Sequence, residues 1–290
     1  MYNEKLEKVR AAVTILVDNC VMELLPGSRF IKRLSRPHNN FLSEHGFSAL
    51  IETDGKRILV DTGPTGIALE HNLNLLGLDF DDIDIVVLSH GHSDHTGGLK
   101  KVHGTIIAHP DAFLQKFIVP KRHLKIDLTC PSIDPERQVI NFYTRPLKLA
   151  RGVITTGEIV RINKWEELDV FRIKRNGKYL KDSVLDDQAI IINTRKGLVI
   201  VAGCSHAGII NTLEQAIKIT GVEKIYCVIG GLHFIGPGIR KVERTIKKLK
   251  RLGVKKIVPL HCTGFEGIKR LSEKMKDEFE YATAGCRIEF

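Results

Sequence analysis

The stretch IDIVVLSHGHSDHTGGLKK, residues 83–101, limits this chain more than any other. Its apolar, β-branched opening reads as a buried strand. The strand runs straight into His90, His92, Asp94 and His95, four ligand-type side chains within six positions. Gly91, Gly97 and Gly98 argue against a helix here, and at this spacing the three histidines cannot share one helix face. A tight loop at a strand end can turn such side chains toward one point, with a rigid sheet behind it. Neutral imidazole binds zinc, iron or manganese, and a carboxylate in the same cluster suits a hard or borderline divalent ion.

The rest of the chain supplies more strands that end the same way. AAVTILVDN reads as a strand, and apolar runs around Asp54-Gly55 and Asn176-Gly177 read as hairpins. TGIALEHNLNLLGL has helical spacing at Ile67, Leu69, Leu73 and Leu76, with a stop at Gly77. From residue 186 strands and helices alternate. DDQAIIINTRKGLVIVAGCSH gives two strands, KIYCVIGGLH and VKKIVPLHCTG one each, and helices follow at GIINTLEQAIKIT, IRKVERTIKKLKRLG and GIKRLSEKMKDEF. Histidines recur just after these strands, at His90, His206, His233 and His261. Residues 110–150 carry several prolines and basic residues and read as an insertion or cap over the site, within one domain spanning 1–290.

These motifs together resemble a known family. SHGHSDHTGG is similar to the HxHxDH signature of the metallo-β-lactamase superfamily. ILVDTG, with Asp61, resembles its strand-end aspartate, and IVPLHCTG, with His261, its C-terminal histidine motif. The resemblance implies an α/β fold, a four-layer αβ/βα sandwich with a one- or two-metal site at one edge. It implies that His90 and His92 bind a first divalent ion and that Asp94, His95 and His261 bind a second. Zinc heads the candidates, with manganese, iron or magnesium as alternatives. Many members carry a further histidine and a bridging aspartate. Here Glu158 stands in place of that histidine, Cys204 in place of that aspartate, and His206 follows two residues on. His206 is the stronger ligand candidate, because a small cysteine in a strand more often packs as an apolar residue. Glu158, Cys204 and Asp61 are candidates either for the metal or for supporting its ligands from behind. Asp94 and His233 are the candidate catalytic residues, and His45 reads as structural.

DDQAIII, GCSHAGI, GGLHF and PLHCTG resemble one subgroup, similar to an archaeal synthase of methanopterin biosynthesis. That resemblance implies a metal-dependent transferase. It would join a dihydropterin-methyl diphosphate to ribofuranosylaminobenzene 5′-phosphate and release pyrophosphate. The alternative is a dinuclear metallo-hydrolase of phosphodiesterase, lactonase or nuclease type. The net charge of +10 suits a small phosphorylated substrate, with Lys121, Arg122, Lys125, Arg172, Lys174 and Arg175 as candidate phosphate contacts. The basic helix at 239–252 reads as amphipathic with a solvated face, and no aromatic-rich basic motif accompanies it, so nucleic acid is not expected. No apolar run reaches membrane-spanning length. Six cysteines without a CxxC pair point to a reduced, cytoplasmic setting. Association into a homo-oligomer stays open.

Overall fold

The computed structural model describes residues 6–24, 26–34, 40–119, 125–131, 133–166, 169–236 and 238–290. Two large sheets face each other. One has eight strands in the spatial order Ile31–Arg33, Cys286–Glu289, Ala11–Val17, Ser48–Thr53, Lys56–Val60, Ile85–Val87, Gly104–Ala108 and Gln138–Phe142. The other has six, in the order Lys148–Ala150, Val153–Thr155, Ala189–Thr194, Gly197–Ala202, Ile225–Gly231 and Lys256–Leu260.

Strand periodicity builds the layers. Val13, Ile15, Ile51 and Val60 of the first sheet meet Ile190, Ile192, Val199 and Val201 of the second in one buried cluster between the sheets. The intervening residues Ile191, Leu198 and Ile200 point outward and pack under helices Ile209–Thr220, Ile239–Arg251 and Gly264–Lys274. Leu50 and Leu59 point outward from the first sheet onto helix Ile67–Leu75. This is the expected four-layer αβ/βα sandwich. Both hairpins form at the anticipated turns, and all four turn residues, Asp54, Gly55, Asn176 and Gly177, have positive φ.

Residues 110–150 divide among three sheets. Gln138–Phe142 closes an edge of the eight-stranded sheet, and Lys148–Ala150 closes an edge of the six-stranded one. Lys116–Ile118 and Ile126–Asp127 pair instead with the hairpin Phe171–Arg175 and Lys178–Lys181, which gives a separate four-stranded sheet. Lys121 and Arg122 lie outside the described residues. Among the described residues no helix is long and apolar enough to cross a membrane.

One buried acid on the outer layer makes stability depend on pH. Glu166 accepts from the amides of Ile210 at 3.3 Å and Asn211 at 3.1 Å, at the start of helix Ile209–Thr220. Burial raises its carboxyl to about 7 from an ordinary 4.5, against the opposing pull of those amides and of Lys241. The folded pKa lies above the unfolded one, so stability from this group is fully present below about pH 4.5 and lost as pH rises through about 7. Glu166→Gln should therefore stabilise the protein by ~1–3 kcal/mol at pH 8 and leave it unchanged at pH 4. Thermal melts at the two pH values check this, and an equal shift at both would refute it.

Candidate metal centre

The strand ends meet along one edge of the sandwich. Asp61 and His90 follow strands of the eight-stranded sheet. Cys204, His206, His233 and His261 follow strands of the six-stranded sheet. Contrary to the expectation from its glycines, the segment after Ile85–Val87 closes with a short helical turn, Ser93–Thr96, that carries Asp94 and His95, and it packs tightly because those glycines admit close neighbours. A Cβ on Gly91 would lie 1.9 Å from the carbonyl oxygen of Ala112, and one on Gly97 would lie 1.7 Å from that of Pro64. Asp61, Ser205, His233 and His261 all sit at positive φ, a backbone cost that collects at sites the surroundings hold firmly.

Two sets of donor atoms converge. In the first, His90 Nε2 lies 3.0 Å from His92 Nδ1 and 3.1 Å from His206 Nε2. In the second, His95 Nε2 lies 3.2 Å from His261 Nε2 and 3.1 Å from Cys204 Sγ, and His261 Nε2 lies 3.3 Å from Asp94 Oδ2. Donors 2.0–2.1 Å from a tetrahedral zinc ion are separated by roughly 3.3 Å, so both sets have the spacing of a coordination shell. His90 and Cys204 also group with His95, so the two sets are contiguous.

Neighbouring residues fix which ring nitrogen faces inward. Ser89 Oγ donates to Asp61 Oδ2 at 2.6 Å, so it can only accept from His90 Nδ1 at 2.9 Å. His95 Nδ1 donates to the same Asp61 oxygen at 2.7 Å, and His261 Nδ1 donates to Asn19 Oδ1 at 2.9 Å. In all three rings Nε2 is left to face the cluster, which is how partner groups orient metal-binding histidines. Asp18 accepts from the His261 amide at 2.8 Å, Asp186 from the Gly91 amide at 2.7 Å, and Asp187 from the Ala207 amide at 2.8 Å.

The electrostatics suit a cation. Burial pushes His90 and His206 well below the ordinary imidazole range and His92 down to about 3, so these rings are neutral with lone pairs available. Burial opposes charge on His95 too, but the Asp94 and Asp61 carboxylates outweigh it and raise that ring to about 9. Burial by itself would raise Asp94. Its histidine neighbours, His95 first, overcome this and hold it well below the carboxylate range. The carboxylates beside His95 thus favour positive charge at this point, and an ion binding there would supply it. Among the described residues, His92 Nε2, His206 Nδ1 and His233 Nδ1 are buried and have no hydrogen-bond partner.

The structure gathers His90, His92, Asp94, His95, His206 and His261 at one edge. It brings Cys204 there as well, the weaker of the two candidates beside His206. Asp61 points its oxygens at Ser89 and at Nδ1 of His95, and not at the converging donor atoms. Glu158 joins none of these groups. Its half-exposed side chain lies 2.9 Å from His109 Nε2, a ring the sequence gave no role. His45, read as structural, groups with Asp94 and His261. His233 stacks beside His206, with ring centroids 4.5 Å apart. Phe171, from the small sheet, covers His92 and His206 at 5.0 and 4.8 Å. Since Phe171 faces the histidines, strand alternation turns Arg172 and Lys174 to the opposite face of that sheet, away from the cluster. Lys125 packs over the Phe117 ring on that same far face. Sequence reasoning missed Asn19, Ser89, Lys116, Asp182, Asp186 and Asp187. The available signal was two adjacent acids, Asp186 and Asp187, in the turn just before the apolar strand Ala189–Thr194.

Comparison with known proteins agrees with this geometry. Residues 44–126 match the family described as the metallo-beta-lactamase superfamily. The 7,8-dihydropterin-6-methyl-4-(beta-D-ribofuranosyl)-aminobenzene-5′-phosphate synthase of Methanocaldococcus jannaschii is 36% identical over 269 residues, covering 86% of this chain and 91% of that protein. A second, uncharacterised protein of the same organism is 36% identical over 254 residues, covering 86% of this chain and 94% of its own. The solved structure of Tm1679, described as a metal-dependent hydrolase of the beta-lactamase superfamily, aligns with a TM-score of 0.78 at 26% identity, over 97% of this chain and 99% of that one.

Proposed function

The chain belongs to the metallo-beta-lactamase superfamily, and within it we propose that it is a metal-dependent transferase. It joins a dihydropterin-methyl diphosphate to ribofuranosylaminobenzene 5′-phosphate and releases pyrophosphate. The observation that carries this reading is the likeness to the synthase, which runs through 91% of that protein's length. In this proposal His90, His92 and His206 hold one divalent ion, and Asp94, His95 and His261 hold a second with Cys204 facing it. Nitrogen and sulfur donors favour zinc, and manganese, iron and magnesium suit such a set less well. The ions would supply positive charge to the diphosphate as it leaves.

The chain's own residues do the remainder. The arylamine nitrogen forms a bond to the methylene carbon as the carbon–oxygen bond to the diphosphate breaks, and the electron pair leaves with pyrophosphate. The nitrogen must then lose a proton. His233, held neutral because burial lowers its pKa to about 4, has a buried, unpartnered Nδ1 and is proposed to take it. An arylammonium is acidic enough for so weak a base. Asp94, ionised, would give the second donor set its negative charge, and Asp61 and Asn19 orient His95 and His261 from behind. Phe171 keeps water from the histidines, and that protection favours transfer over hydrolysis. Arg175 shares a sheet face with Phe171, lies 3.9 Å from Asp111, and is the cation proposed here to meet a substrate phosphate. The substrates are small and phosphorylated in this reading, and nucleic acid has no role. A reducing, cytoplasmic compartment fits the six free cysteines.

The likeness to Tm1679 favours a second reading, a metallo-hydrolase on the same site. One experiment separates the two. Zinc-loaded protein is given the pterin diphosphate with and without the arylamine, and released pyrophosphate is measured. Transfer requires both substrates. Equal release from the diphosphate alone would replace the transferase with the hydrolase.

A further inference from the structure

Lys116 is fully buried, in a strand of the small sheet. Its Nζ donates to Asp182 Oδ2 at 2.9 Å and to Asp186 Oδ1 at 2.8 Å. The second Asp186 oxygen accepts from the amide of Gly91, the residue between His90 and His92. The neighbouring Asp187 accepts from the amide of Ala207, the residue after His206. Two adjacent acids therefore each grip one of the loops that carry the first histidine set, and Lys116 grips one of the acids.

The turn presenting these acids is held against its own preference. Val184 has φ 50°, a left-handed conformation that a β-branched residue adopts only when its surroundings impose it. The Val184 amide donates to Asp182 Oδ1 at 2.7 Å, and its carbonyl accepts from Arg161 at 2.7 Å and from the Asp187 amide at 3.1 Å. Burying an ammonium costs far more than a surface ion pair returns. A methionine or leucine would fill the same space without that cost. The lysine's distinguishing feature is that its bonds reach, through one carboxylate, the backbone between two ligand-type histidines.

We propose that Lys116 is a positioning residue for the metal centre: through Asp186 it fixes the peptide between His90 and His92, so that the small sheet and the histidine loop move as one unit. The sheet already touches the site through Phe171, and in register Lys116 pairs with Ile173, two residues along the same face. The inference rests on the metal-binding part of the reading above and not on the identity of the substrate.

The test uses zinc(II) and cobalt(II) alone on the full chain. Zinc affinity is measured by competition with a chromophoric chelator, and ligand geometry by the visible spectrum of the cobalt-loaded protein. Lys116→Met keeps the length of the side chain and loses its bonds. It should weaken zinc binding by roughly 10–100-fold, the usual cost of losing an outer-shell partner, and shift the cobalt bands at saturating metal. Lys116→Arg should restore much of both. Asp186→Asn, nearly unchanged in shape, should reproduce the methionine variant and carries the test if that variant does not fold. A role confined to stability would lower the melting temperature and leave affinity and spectrum at wild-type values in both variants, which overturns the proposal. A wild-type chain that binds neither ion would overturn the metal reading itself and this inference with it. Failure of the transferase assay alone would touch neither.

Discussion

His206→Ala should lose the ion held by the first histidine set and cut activity by at least about 10³-fold, ~4 kcal/mol of lost transition-state stabilisation. The argument is geometric. His206 Nε2 stands 3.1 Å from His90 Nε2, and without it the first set keeps only two nitrogens, one short of the three protein ligands usual in a catalytic zinc site. Elemental analysis of the purified variant, beside Cys204→Ser, reads the result. Cys204 Sγ lies 3.1 Å from His95 Nε2 and touches the first set through His90, with which both group, so the serine variant should keep the first ion and weaken mainly the second. A His206→Ala protein with a full complement of metal would show that the three-histidine set is not a binding position.

Stripping the metal should lower the melting temperature by roughly 8–16 °C, and added zinc should restore it. An ion present at 10³ times its dissociation constant stabilises the folded chain by about 4 kcal/mol. For a chain of this size each kcal/mol shifts the melting point by about 2–4 °C. The effect should be this large because, without an ion, the partly buried Asp94 and the converging ring nitrogens of His90, His95, His206 and His261 lose the charge that their arrangement favours. Calorimetry of chelator-treated and zinc-reloaded protein checks it. Identical melting curves would mean that the folded chain does not bind zinc appreciably.

Much of this was legible in the sequence, for physical reasons. The unbroken apolar runs AIIIN and GLVIV mark strands buried on both faces, and Asp54-Gly55 and Asn176-Gly177 mark two hairpins, because local backbone preference decides each. The histidine loop was legible because ligand-type residues seldom crowd so closely by chance. Other parts depended on three-dimensional neighbours. Glu158 was a candidate ligand by its place in the chain, but the fold pairs it with His109. Cys204 looked like a packing residue because a single sequence cannot say which strand end lies across from it. Arg172 and Lys174 looked ready for phosphate until the register turned them away from the histidines. Lys116, Asp182, Asp186 and Asp187 were invisible as a unit, since the lysine stands 70 residues from one of its partners and only folding joins them.

The two donor sets also straddle the central seam of the sandwich. His90, His92, Asp94 and His95 hang from the eight-stranded sheet, and Cys204, His206 and His261 hang from the six-stranded one. The gap between them is set by the apolar layer that separates the sheets, where Val60, Val87, Val201 and Ile229 interlock. Such interiors are packed as tightly as organic crystals and yield little. That layer works as a spacer block, and its thickness is machined in methyl groups. Residues that never approach an ion thereby determine how far apart its two jaws stand.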